Sequence, residues 1–136
     1  MISVQVQHYL GRARDFLKGM DLLKDDLAEF RFSSALLGIH CAISYGDALR
    51  TGMGREKVSS DDHSKTTSDL ESLLKSRNFE NRKGIGHLGK LLGMKSRIEY
   101  EPVRTRENEV EEIVKHAERF AKWAEATGRI LKIEGW

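Results

Sequence analysis

Apolar residues recur along this chain at three- and four-residue steps, the period of one helix face. Val6, Tyr9, Leu10, Ala13, Phe16, Leu17, Met20, Leu23 and Leu27 form the first stripe. Gly11 and Gly19 weaken it slightly, and the stripe continues through both. A helix of about 24 residues is about 36 Å long, which predicts an elongated bundle. An irregular stretch around Glu29–Phe32 follows, with Ser33 and Ser34 placed as N-caps for a second helix. That helix carries Leu36, Ile39, Ala42, Ile43, Gly46 and Leu49. Its small residues, Ala35, Gly38, Ala42, Gly46 and Ala48, suit a central helix approached closely by neighbours, and Gly52 and Gly54 end it.

Ser59-Ser60-Asp61-Asp62 is a helix-opening string, a hydroxyl cap followed by acids at the positive end of the dipole. Leu70, Leu73 and Leu74 give this third helix a thin apolar face. The fourth begins near Gly84 and carries Ile85, Leu88, Leu91, Leu92 and Ile98, with further glycines at 86, 89 and 93. Tyr100-Glu101-Pro102 ends it, because the residue before proline disfavours helix. Thr105 is placed to cap the last helix, whose stripe is Val110, Ile113, Val114, Ala117, Phe120, Ala121 and Ala124. Gly128 is the expected stop, followed by a tail over 128–136. The prediction is an all-α, up-and-down bundle of four to five helices, one domain over 1–136 with its core at about 4–126.

Composition agrees with the pattern. One proline, 32% charged residues and a Leu/Ala/Glu/Lys/Arg-rich chain belong to helices, not to a sandwich or barrel. One cysteine, Cys41, allows no intramolecular disulfide, and no Cys/His cluster has structural zinc spacing. No apolar run reaches 18 residues and the start lacks a signal-peptide pattern, so the expectation is a cytoplasmic protein with no membrane contact. The net charge of +2 averages three unlike segments. Residues 1–50 are net 0, 51–100 net +3 and 101–136 net −1. Within 75–97, Lys75, Arg77, Arg82, Lys83, Lys90, Lys95 and Arg97 face only Glu80. Those seven are the candidate nucleic-acid contacts; a solvated surface balanced by acidic helices is the alternative.

Candidate chemistry is sparse. His40 and Asp47 are seven apart on one helix face, and His63 stands at the start of the next helix, so the three are a candidate cluster. His8, His40, His63, His87 and His116 lack the paired spacing of a bundle metal site, and the lone i, i+4 pair Glu112/His116 does not make one; no metal and no cofactor is expected. Cys41 reads as a small buried thiol. Tyr45, Trp123 and the Ile130–Ile133 tail exceed what one seam per helix needs, which predicts a homodimer.

Three segments resemble the HEPN family of helical bundles, the higher-eukaryote and prokaryote nucleotide-binding domains. They are Leu37–Leu49 with its Asp47-Ala48-Leu49 step, Asp61-Asp62-His63, and Lys95–Tyr100 followed by Ala117-Glu118-Arg119-Phe120. The resemblance spans about residues 4–126 and implies a dimeric four- or five-helix bundle. Many such proteins are metal-independent ribonucleases, among them toxins paired with a nucleotidyltransferase-type antitoxin; others lack the catalytic motif and bind or assemble. The family's motif is an arginine followed by histidine after four to six positions. Arg97 matches the arginine by position, but 102–104 are Pro102, Val103 and Arg104, and Ile98 replaces a polar residue. Metal-free cleavage needs a base for the 2′-OH proton and a cation for the phosphate. Arg97 supplies the cation; next to it stand Glu99 and Tyr100, residue types whose ordinary titration lies far from neutrality. Arg82-Lys83-Gly84-Ile85-Gly86-His87 fits the formula literally, at the start of the fourth helix instead of its end. The favoured expectation is a non-catalytic module that binds nucleic acid, a nucleotide or a protein partner. The alternative is a ribonuclease toxin using Arg97 with Tyr100, or Arg82 with His87.

Overall fold

Small side chains dominate the middle of the second apolar stripe, and this lets it become the axis of the molecule. The computed structural model describes residues 2–55, 58, 65–100 and 105–136. It contains helices α1 (Ile2–Leu23), α2 (Leu27–Gly52), α3 (Thr66–Ser76), α4 (Gly84–Tyr100) and α5 (Glu107–Ile130), with a 3₁₀ turn at Lys24–Asp26. The chain is an all-helical bundle, with no strand among the described residues. Residues 41–49 of α2 are all buried, and α2 touches each of the other four helices. Gly38 shows why: a Cβ there would press on Met20, Ile113 and Ala117, from α1 and α5.

Pair contacts fix the directions. Phe16 meets His40 and Gly19 meets Leu37, so α1 and α2 are antiparallel. Gly84 lies under Trp123, His87 meets His116 and Arg97 meets Glu109, so α4 runs antiparallel to α5. Phe120, Ile113, Leu88, Leu91, Leu70 and Leu74 are fully buried around α2. No helix among the described residues is long and apolar enough to cross a membrane.

Four boundary expectations change. The break near Glu29–Phe32 is a kink at Phe30 (φ −116°, ψ 33°) inside α2, and the reversal comes earlier, at the 3₁₀ turn. Ser33 and Ser34 therefore sit within the helix instead of capping it, and Ser34 is buried. The N-cap of α5 is Arg106, not Thr105; Glu109 Oε1 accepts the Arg106 backbone N–H at 3.3 Å. Gly128 does not stop α5: the helix ends at Ile130, and Lys132 takes the left-handed conformation (φ 53°) instead. Gly128 serves a different need, because the Trp136 indole lies directly on it. The Ser59–Asp62 helix start, His63 and Pro102 fall outside the described residues.

The tail folds back onto the bundle. Ile133 is buried against Gly52, and Trp136 Nε1 donates to the Glu125 carbonyl at 3.2 Å. Trp123 covers the first turn of α4 and donates Nε1–H to Asn81 O at 2.9 Å. Tyr45 is fully buried, its hydroxyl donating to Glu125 Oε2 at 2.8 Å. The residues that suggested surplus apolar surface for a second copy are thus largely spent within the chain; Ile130 alone among them stays largely exposed.

Candidate functional site

The family-like segment at the end of α4 folds into a network of ion pairs. Arg97 pairs with Glu109 of α5, and Lys95 Nζ donates to Glu99 Oε2 at 2.9 Å. Glu99 Oε1 lies 2.9 Å from His40 Nε2, which joins α4 to α2. Burial pushes the Glu99 carboxyl up, but Lys95, Tyr100 and His40 outweigh it and hold it below the usual carboxylate range. Tyr100 is 75% exposed, its ring near Lys95 Nζ. Arg97 therefore has an acid as its near partner.

The other candidates separate in the same way. Arg82 donates to the Phe79 carbonyl at 2.9 Å and lies 4.0 Å from Glu71, while His87 turns to α5. The two residues of the literal motif thus have different partners. Lys75 pairs with Glu71 at 3.6 Å, and Arg77 donates to the Met53 carbonyl at 3.4 Å. Of the seven basic residues, Arg77, Lys83 and Lys90 are exposed with no ion pair among the described residues. Half of the +6 of 75–97 is met by acids elsewhere, Glu71, Glu99 and Glu109. His40 and Asp47 also part company: Asp47 is buried with Arg50 3.7 Å away, and His40 faces Glu99. Cys41 is buried, and its thiol is pushed up to about 12 by that burial, with Asp21 and Glu125 adding to it, which leaves it unreactive.

The sequence spacing concealed a different meeting. His87 Nδ1 and His116 Nδ1 are 2.8 Å apart, one ring from α4 and one from α5. Around them stand Lys90, Lys115 and Arg119, opposed by Glu112. Burial lowers the pKa of both rings, and the neighbouring cations lower them further, against a smaller opposing pull of Glu112 on His116. At neutral pH the rings are therefore uncharged within a cationic setting, able to accept a proton and to attract an anion. Two residues 29 apart gave no spacing signal; the antiparallel register of α4 on α5 is what joins them. Among the described residues no group of three or more His, Cys, Asp or Glu converges on a metal position.

A concavity of about 420 Å³ lies between α1 and α5 over Tyr45. Most of its charges are mutually paired, Arg14 with Glu125 at 2.8 Å and Lys24 with Asp21 and Glu118, leaving Lys18 and Lys122 without an ion pair among the described residues. It offers less net attraction for a charged ligand than the α4–α5 face. No protein-family model, curated protein or solved structure matches this chain.

Proposed function

We propose that the chain is a HEPN-like, non-catalytic helical module that binds a phosphate-bearing ligand, nucleic acid in the first instance, on the α4–α5 face. The observation that carries this reading is the gathering of Lys90, Lys115 and Arg119 around the His87–His116 pair. Phosphate contacts need cations that are not already discharged; among the described residues Lys90 and Arg119 have no ion pair, while Lys115 is held by Glu112 at 3.1 Å. The pairing of Arg97 with Glu109 supports the non-catalytic half, because the arginine by which the chain resembles a ribonuclease already has its anion.

One observation favours a second reading, a metal-independent ribonuclease. A neutral imidazole with a free nitrogen can take a 2′-OH proton, and His87 and His116 place two imidazoles on the α4–α5 face. A nucleotidyltransferase-type antitoxin belongs to that reading, and a second copy of the chain to both.

Incubating the purified protein with RNA at low salt in EDTA separates the two. The expected outcome is binding without cleavage, weakened in Lys90→Ala and Arg119→Ala, each lowering the salt slope by about one. Cleavage that disappears in His87→Ala would establish the second reading instead.

A further inference from the structure

The short contact between His87 and His116 joins two Nδ1 atoms, so one ring donates and the other accepts. Glu112 decides which. Its Oε2 lies 3.6 Å from His116 Nε2, and a carboxylate favours a proton on the nitrogen that faces it. His116 thus keeps its proton on Nε2 and presents a bare Nδ1, which accepts the Nδ1–H of His87. The lone pair of the His87 ring is then on Nε2, which has no hydrogen-bond partner among the described residues. His87 is half-buried and one turn from the exposed Lys90.

The charged groups acting on the two rings are Lys90 of α4 and Glu112, Lys115 and Arg119 of α5; α1, α2 and α3 contribute none to this set. Glu112 is itself 3.1 Å from Lys115 Nζ. Resting on the reading of this face as a phosphate-binding surface, we propose that His87 Nε2 is a direct contact for a phosphodiester, and that the ligand docks together with one proton.

The same cations that oppose a proton on His87 are those a phosphate neutralises. With the phosphate beside them, a proton from solvent goes onto His87 Nε2. The resulting imidazolium donates Nδ1–H to His116 and Nε2–H to a phosphate oxygen. No bond of the ligand changes; the balance is one phosphodiester and one proton taken up. His116 acts through His87, as the acceptor that fixes its tautomer and ring orientation, and is a positioning residue.

The test is the pH profile of binding to a short oligouridylate without terminal phosphates, whose own charge is constant between pH 5 and 8. Uptake of one proton predicts affinity rising about tenfold per pH unit as pH falls between the free and bound pKa values of His87. His87→Asn should abolish that slope while keeping the salt dependence. Arg119→Ala should bind more weakly yet retain the slope. In the unmodified protein, the ¹⁵N resonance of His87 Nε2 should titrate at higher pH with the oligouridylate than without it, a readout that needs no variant to fold. Binding with a flat pH profile, or a slope that survives in His87→Asn, overturns this inference and leaves the binding reading standing. Absence of binding at every pH at low salt overturns both.

Discussion

The carboxylate of Glu125 accepts two bonds from Arg14, both at 2.8 Å, and a third from the Tyr45 hydroxyl. It thereby ties α1 and α2 to α5 with one side chain. Removing it strands a fully buried hydroxyl, the expensive kind of hydrogen-bond loss. Glu125→Ala should cost about 1–3 kcal/mol, and Tyr45→Phe less, because that change removes the donor along with its need. Urea denaturation of both variants and of the double variant checks this; the double variant should lose less than the sum. Asp47 shows the opposite balance. Burial pushes its carboxyl up to about 7, with Arg50 and Arg12 pulling it back only partly. An acid whose folded pKa lies above its unfolded value holds more protons when folded, so stability falls as pH rises from about 4 through 7. Asp47→Asn should therefore raise the denaturation midpoint at pH 8 and change it little at pH 4.

At the scale of elements, the glycines of α4 and α5 divide by what lies over them. A Cβ at Gly84 would run into the Trp123 indole, and one at Gly128 into that of Trp136. At Gly86 and Gly93 a Cβ meets open space. Gly84→Ala and Gly128→Ala should destabilise by about 1–3 kcal/mol through overpacking. Gly86→Ala and Gly93→Ala should stabilise by about 0.5–1 kcal/mol each, the helix-interior cost of glycine. Thermal melts of the four variants give the signs. The same contrast explains what the sequence disclosed. The apolar stripes predicted α4, α5 and the body of α1, because a buried face imposes its period whatever the neighbours are; the first stripe ran on to Leu27, which opens α2 beyond the 3₁₀ turn. The ends were less legible. Gly128 looked like a stop because an isolated glycine near a helix end usually is one; only the indole eight residues on reveals its use. Ser33 and Ser34 looked like caps because nothing local says that α2 resumes across the kink at Phe30.

For the whole molecule, charge and chain ends were the hardest things to read. The +6 segment is a property of one stretch of sequence, and its partial neutralisation by Glu71, Glu99 and Glu109 is a property of the packed bundle. The site followed the same rule: His87 was visible as half of a formula, but its partner is set by how α4 lies on α5. The tail is the third case. Ile133 on Gly52 and Trp136 on Gly128 clamp the far end of α2 and the end of α5. Trp136→Ala should therefore cost about 2 kcal/mol, measured by denaturant titration, and speed amide exchange in the first turns of α1, where Gly135 lies against Ser3.

That contact between Gly135 and Ser3 has a topological consequence. It brings the start of α1 beside the end of the tail, so the path of the chain nearly closes on itself. A short splice from Trp136 to Ile2, with the chain reopened in the exposed turn at Arg77–Asn78, would thread the helices in the order α4, α5, α1, α2, α3. Every side-chain pair described above would survive that reordering, because none of them depends on which residue the ribosome makes first.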